Sequence, residues 1–179
     1  MSLEEKIFED ASDLLGNPIN DWEFVGIEFN DDSPHLRYYP LEGKIAISLS
    51  LRAKEDNRQY LFQLSHELCH LFYPKKEYPS LIEHDTLVIN EGISTYFSVK
   101  TTGSILSIEE HLRNDLRTHS NNYFQALELV EKLLQIDSEA IQKLRKFQPR
   151  IDLLSKADFE NAKIEIEEDL IKALLLPFK

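Results

Sequence analysis

Residues 61–72 read Leu-Phe-Gln-Leu-Ser-His-Glu-Leu-Cys-His-Leu-Phe and contain the motif H-E-x-x-H at positions 66–70. Apolar residues recur in this stretch at steps of three, four and one, which predicts an amphipathic α-helix: Leu61, Leu64, Leu68, Leu71 and Phe72. Asp56 or Asn57 can cap the start of this helix, and Pro74 ends it. The motif therefore falls in the middle of a helix.

The spacing of the motif brings its polar side chains together. On an α-helix, residues four apart lie about 40° apart around the axis and about 6 Å apart along it. His66 and His70 therefore project from one face and can share a metal ion, while Glu67 lies beside that face, within reach of a metal-bound water. Two imidazoles next to a carboxylate base are typical of a zinc hydrolase. A solvated helix face with two incidental histidines is the alternative, but most of this helix is apolar, and burying these groups without a partner would be costly.

A catalytic zinc site needs three protein ligands and one open position. A metzincin would have glycine at position 73 and histidine at position 76, whereas this chain has Tyr73 and Lys76. His84 is a candidate, but it stands in a Glu-His-Asp sequence that indicates a solvated turn. Glu91 is the stronger candidate because it lies in residues 85–98, a second mostly apolar helix.

The second helix has its own signals. Asp85 or Thr86 is a plausible N-cap. A stripe at helical spacing is polar after its first member: Leu87, Glu91, Ser94, Thr95 and Ser98. A carboxylate on a mostly buried helix requires a cation. Gly92 costs about 1 kcal/mol of helix propensity, which a close approach to another helix would explain.

Residues 90–98, Asn-Glu-Gly-Ile-Ser-Thr-Tyr-Phe-Ser, resemble the N-E-G-x-[AS]-x-Y-x-S type of signature found in small peptidase-MA-like proteins, which belong to the gluzincins. Residues 44–98 are also similar to compact metallopeptidases that cleave phage repressors. The resemblance implies an α+β, zincin-like fold, a Zn²⁺ ion held by His66, His70 and Glu91, and Glu67 as the general base.

One position departs from the family pattern. Thermolysin-type gluzincins carry aspartate one turn after the ligand glutamate, as a partner for a ligand histidine. This chain has Thr95 there, which accepts a hydrogen bond but brings no charge. The resemblance thus implies Thr95 as the partner residue, with weaker zinc affinity.

Six residues are candidates to stabilise the developing oxyanion, and no sequence feature favours one over the others: Tyr73, Tyr78, His84, His111, His119 and Tyr123. Each of them is also compatible with an ordinary surface position. Cys69 lies near the ligand face, but we expect it to pack as a small apolar residue.

Before the motif, the sequence predicts an amphipathic helix over residues 2–15 and strands over 21–30, 35–39 and 44–51, with a bulge at Gly26. The third strand alternates most clearly. In gluzincins the strand before the zinc helix pairs with extended substrate, so the resemblance gives that role to residues 45–51.

The second half is predicted to be helical. Residues 101–105 indicate a break, and Ser107 with Glu110 matches a capping box. Helices are predicted over residues 107–118, 120–134, 137–147 and 158–176. We therefore expect a single domain over 1–179, with a small mixed sheet and two metal-bearing helices in 1–100 and a C-terminal helical lobe in 104–179.

Composition limits the partners. The chain has 179 residues and a formal net charge of −12, which argues against sequence-independent nucleic-acid binding and against attraction to anionic membranes. The start lacks a basic and an apolar signal region, no apolar run reaches membrane-spanning length, and there is one cysteine. These features predict a cytoplasmic protein.

The predicted function is zinc-dependent hydrolysis of peptide bonds in a peptide or protein substrate. A dedicated repressor-cleaving regulatory protease is a narrower alternative with the same chemistry. A metal-stabilised regulatory or interaction module without turnover is an alternative of another class, but a structural metal site would not need the base Glu67.

Overall fold

A small sheet lies early in the chain, and most of the later residues are helical. The computed structural model describes residues 2–179 and has a mixed α+β architecture, which confirms the predicted fold class at that level. Within these residues the strands are β1 (Glu23–Asn30), β2 (His35–Tyr39) and β3 (Lys44–Ser50). The helices are α1 (Leu3–Leu15), α2 (Asn57–Phe72), α3 (Val88–Leu106), α4 (Glu109–His119), α5 (Asn121–Ile136), α6 (Ala140–Phe147), α7 (Lys156–Asn161) and α8 (Glu168–Leu174).

The strand order in the sheet is β1-β3-β2, with β1 parallel and β2 antiparallel to β3. The bulge predicted at Gly26 is confirmed, because the register shifts between Phe24 and Ile27 and Gly26 has a φ of +122°. The prediction that residues 45–51 offer an edge to substrate is wrong, because β3 is hydrogen-bonded on both sides. Strand β2 is an edge of the sheet, because it pairs only with β3.

The helix predicted around the H-E-x-x-H motif is confirmed as α2. Asp56 caps it by accepting hydrogen bonds from the backbone amides of Arg58 and Gln59 at 2.9 and 3.1 Å. Helix α2 packs on α1, on β3 and above all on α3. One apolar cluster connects the sheet, α1, α2 and α3 with the later helices.

Gly92 allows α3 to pack very closely on α5. A Cβ atom on Gly92 would lie 2.5 Å from the carbonyl oxygen of Ala126 and 2.6 Å from a methyl group of Val130. The predicted close approach at this glycine is therefore confirmed, and its partner is α5. This contact holds the first turn of α5 beside α3, with the ring of Tyr123 6.0 Å from that of His66 on α2.

The predicted N-cap of α3, at Asp85 or Thr86, is wrong. Helix α3 begins at Val88 after Leu87, and no side chain caps it. The tail of the chain takes over this role, because the amide of Val88 donates to the carbonyl of Leu176 at 2.8 Å. A free backbone amide at a helix start needs such a partner.

The break predicted over residues 101–105 is also wrong, because α3 continues to Leu106. Gly103 serves close packing, since a Cβ atom there would lie 2.7 Å from the Cβ of Glu109. The capping box at Ser107 does not form. Ser107 ends α3 in a left-handed conformation with a φ of +57°, and α4 begins at Glu109.

The single helix predicted over residues 158–176 is two short helices, α7 and α8. Ser155 and Asp158 form a capping box that starts α7 early, and Lys163 turns the chain with a φ of +55°. The side chain of Ile164 is buried in the turn between them. Within residues 2–179, no helix combines the length and apolarity needed to cross a membrane.

Candidate metal centre

Helices α2 and α3 bring His66, His70 and Glu91 together. The Nε2 atom of His66 lies 3.1 Å from Oε2 of Glu91 and 3.2 Å from Nε2 of His70. Nε2 of His70 lies 3.6 Å from the other oxygen of Glu91. The three side chains are only 12–18% exposed, so their donor atoms converge in a largely buried position.

This spacing fits a zinc ion. Zn²⁺ binds nitrogen and oxygen ligands at about 2.0–2.2 Å in tetrahedral geometry, which places neighbouring ligand atoms about 3.3 Å apart. The three observed separations cluster around that value. Within residues 2–179 this is the one set of three or more histidine, cysteine, aspartate or glutamate side chains whose ligand atoms all lie within 4.8 Å of each other.

The electrostatics of the triad have a definite direction. Burial alone would lower the pKa of His70, but the charge and hydrogen bond of Glu91, the charge of Glu67 and a hydrogen bond with Asn90 together outweigh it and raise that pKa to about 9. Burial alone would raise the pKa of Glu91, but the neighbouring His70 and His66 hold it well below its usual range. Without metal, the site is therefore a carboxylate paired with a protonated imidazole. A metal ion would replace that proton.

Glu67 lies in the same cleft and is largely buried, with 6% of the residue exposed. Within residues 2–179 its carboxylate takes part in no hydrogen bond and no ion pair. The carboxylate oxygens are therefore available to accept a proton from a molecule in the cleft. Two residues after Glu67 on α2, Cys69 is fully buried in the core, as predicted. Burial raises the pKa of its thiol well above the usual value.

Thr95 is brought to the site but not into a hydrogen bond. It lies in a pocket that also contains His66 and Glu67, and the residue is fully buried. Its hydroxyl has no hydrogen-bond partner within residues 2–179. The hydroxyl thus remains unsatisfied beside a candidate ligand histidine.

Two cavities meet at His66 and Glu67. The main cavity has a volume of about 400 Å³ and is bounded by the triad, by β2 and by the loop after α2. A side pocket of about 230 Å³ lies towards α4. His66, Glu67 and Tyr123 border both of them. Cavities of a few hundred cubic ångströms with convergent polar groups are typical of ligand sites.

Comparisons of the chain with protein-family models, curated proteins and solved structures found no match. The chemical capacity of the site is therefore inferred from its own residues.

Two of the six oxyanion candidates border the main cavity, Tyr73 and Tyr123. Tyr73 is 1% exposed, with its ring 6.3 Å from that of His70 and a hydroxyl that has no partner among the described residues. The ring of Tyr123 lies 6.0 Å from that of His66. Burial and the charges of Glu91 and Glu67 raise the pKa of Tyr123 to about 12, so its phenol keeps its proton and can donate a hydrogen bond.

The other four candidates are engaged elsewhere. Tyr78 packs on Trp22 with ring centroids 4.9 Å apart. His84, which was also the alternative third ligand, contacts Glu77 at 2.8 Å. His111 contacts Arg58 at 2.9 Å, and His119 contacts a backbone carbonyl of its own helix at 3.2 Å.

Two features of the site have no signal in the sequence. The tail residue Phe178 packs its ring on Tyr123 with centroids 4.8 Å apart, and its amide donates to Thr86 at 2.8 Å. In the loop after α2, Lys75 and Lys76 line the main cavity. Both depend on contacts between distant parts of the chain.

Proposed function

We propose that this protein is a zinc-dependent metallopeptidase of the gluzincin type with a zincin-like fold. One observation carries the proposal: three ligand atoms converge with the spacing of a tetrahedral metal site, beside the unpaired carboxylate of Glu67 and in an open cleft. Zn²⁺ held by His66, His70 and Glu91 would act as a Lewis acid that polarises a carbonyl group and lowers the pKa of water.

Glu67 is the proposed general base and acid. Its carboxylate accepts a proton from water as the water oxygen bonds to the carbonyl carbon of the substrate. The same carboxyl group then gives that proton to the leaving nitrogen as the C–N bond breaks. The proton balance closes without any other residue, and Glu67 returns to its starting state.

Tyr123 is the proposed oxyanion donor. Its phenol remains protonated because the pKa is raised to about 12, and it borders both cavities beside His66. A hydrogen bond from this phenol would stabilise the negative charge that develops on the carbonyl oxygen. The ring of Phe178 packs against that of Tyr123 with centroids 4.8 Å apart.

The edge strand β2 is proposed to hold the substrate extended. Its residues His35, Leu36 and Tyr38 line the main cavity, and β2 pairs with β3 on one side only. An extended peptide can add to such an edge through backbone hydrogen bonds.

A metal-stabilised interaction module without turnover is the second candidate, and the unpaired hydroxyl of Thr95 is the observation in its favour. A structural zinc site, however, is closed by four protein ligands. Here three converge, and the fourth side is the cavity of about 400 Å³.

The test is digestion of a proteome-derived peptide library, and of intact lysate proteins, with new termini mapped by mass spectrometry. Zinc-loaded wild type should cleave. Zinc-loaded Glu67→Gln should hold the same amount of zinc and cleave at least ~100-fold more slowly. A folded, zinc-loaded wild type that cleaves nothing in either mixture, or a Glu67→Gln variant as fast as wild type, would overturn the proposal.

A further inference from the structure

The two cavities that meet at His66 and Glu67 differ in the side chains that line them. The main cavity extends from the triad to Lys75, Lys76 and Glu83 in the loop after α2. The side pocket extends in another direction, to Phe62 on α2 and Leu116 on α4. A chain lying across the triad would meet a charged wall on one side and an apolar pocket on the other.

The charged wall is positive. Nζ of Lys75 lies 2.8 Å and Nζ of Lys76 lies 3.3 Å from the carboxylate of Glu83. Within residues 2–179 neither lysine has a second ion-pair partner, so two ammonium groups share one carboxylate. One positive charge is left over at this wall. Its sign is opposite to the net charge of −12 of the whole chain.

The side pocket would accept a different kind of side chain from the Lys75–Lys76 wall. Apart from His66 and Glu67, the described residues that line its volume of about 230 Å³ are uncharged, and they include the polar Gln63 and Thr95 beside the apolar Phe62 and Leu116. Phe62 and Leu116 are partly buried and pack against a small apolar cluster of α3, α4 and α5. An apolar side chain entering this pocket would lose contact with water without leaving a charge unpaired.

On the basis of the proposed function, we infer that the preferred substrate is a peptide segment with an acidic residue on the Lys75–Lys76 side of the scissile bond and a bulky apolar residue on the Phe62–Leu116 side. The acidic side chain would accept charge-assisted hydrogen bonds from the two ammonium groups. A basic residue at that position would be repelled. A small or charged residue on the other side would leave the pocket unfilled or bury a charge.

The experiment uses peptides built on a sequence that the wild type cleaves, with one position at a time varied within three residues of the scissile bond. Each position carries Glu, Gln or Lys in one series and Leu or Gly in the other. Two quantities are measured, kcat/KM with wild type and binding to zinc-loaded Glu67→Gln by fluorescence anisotropy. The binding measurement reports recognition without turnover.

The matched variants distinguish an effect of the Lys75–Lys76 wall from an effect of the net charge of the protein. Lys75→Glu/Lys76→Glu reverses the wall, and Lys75→Gln/Lys76→Gln neutralises it in case the reversal prevents folding. Lys132→Glu/Lys146→Glu makes the same charge change at two exposed helical lysines away from both cavities. Leu116→Trp fills the side pocket, and Ile136→Trp is its control at an exposed position on α5.

The expected result is a preference for Glu over Lys of roughly fivefold at one position, and for Leu over Gly of at least about tenfold on the other side of the scissile bond. The first preference should vanish in the Gln pair and persist in the Lys132/Lys146 control. The second should vanish in Leu116→Trp alone. Cleavage without either preference, or preferences that survive these variants, would overturn the inference while leaving the proposed hydrolysis intact. No cleavage of any peptide or protein would instead count against the proposed function.

Discussion

A histidine–glutamate contact in the cleft and another in the loop after α2 differ in what surrounds them. In the cleft, His66 contacts Glu91 at 3.1 Å. In the loop after α2, His84 contacts Glu77 at 2.8 Å. By distance alone the second is the better hydrogen bond, and both histidines are sequence candidates for metal binding.

Their surroundings separate them. Arg150 is buried beside the loop contact, with its Nε 3.6 Å from Glu77, and it also binds Asp21 and the carbonyl of Pro74. The lone pairs of Glu77 are thus shared between His84 and a guanidinium group. In the cleft, a second imidazole takes the place of the guanidinium, and the remaining side is open. A carboxylate shared by a histidine and an arginine is typical of a structural contact, whereas convergent donor atoms beside an open cavity are what the proposed metal site requires.

The largest expected effect is on zinc affinity. Glu91→Gln keeps the size of the side chain but removes its charge, and should weaken zinc binding more than ~100-fold, since loss of even an outer partner costs 10- to 100-fold. His84→Gln should leave the affinity within about threefold. Competition with a chromophoric chelator measures both. Equal losses in the two variants would erase the distinction between the two contacts.

The loop contact should instead reveal itself in stability. Arg150→Met leaves Asp21 and Glu77 without their cation and the carbonyl of Pro74 without a donor, and should lower the free energy of unfolding by about 2 kcal/mol. Urea denaturation of the metal-free protein measures this. The variant should still bind about one zinc per chain. A loss of zinc with unchanged stability would reverse the roles given to the two regions.

Zinc binding should depend on pH through His70. Because the pKa of His70 is raised to about 9 in the metal-free protein, zinc must displace a proton at neutral pH. Affinity should therefore rise about tenfold per pH unit between pH 7 and 9 and then level off. Calorimetry in two buffers of different ionisation enthalpy should detect release of about one proton at pH 7. The His84→Gln variant should give the same slope, and a flat profile in wild type would contradict the triad as described.

The smallest effect concerns Asp152, which lies near His84 and Arg150 with both carboxylate oxygens unpartnered among the described residues. Burial raises its pKa, so the folded state loses stability as pH rises through that pKa. Asp152→Asn should therefore gain up to about 1 kcal/mol at pH 7, with the gain disappearing as pH falls below about 4.

Asp137→Asn is the control for that prediction. The hydrogen bond from Lys143 lowers the pKa of Asp137, so its removal should destabilise the protein at pH 7 and have less effect in acid. If both substitutions changed the free energy of unfolding at pH 7 in the same direction, the distinction between a carboxylate disfavoured by burial and one stabilised by a hydrogen bond would be lost.

Local signals explain what the sequence predicted well. The period of α2, its cap at Asp56 and the alternation of β3 are set by residues within a few positions of each other. Gly92 was tied to a close helix approach because nothing else explains a glycine there. Such inferences need no knowledge of which segments meet.

The errors arose where contacts between different elements decide the outcome. Gly103 resembles a helix break until the packing of Glu109 against it is known. The start of α3 depends on a hydrogen bond to Leu176, and the pairing of β3 on both sides depends on the order of the strands. In the site, the choice of Tyr123 among six candidates and the chemistry of the Lys75–Lys76 wall likewise depend on long-range contacts.

The most direct test of the central claim is the X-ray absorption spectrum at the zinc edge of the protein loaded with one equivalent of zinc. The triad predicts two imidazole nitrogens and two oxygens at about 2.0 Å, one from Glu91 and one from water, in a four-coordinate shell. A sulfur ligand from Cys69, a third imidazole, or a shell of oxygens alone from surface carboxylates would contradict the claim that His66, His70 and Glu91 hold the metal.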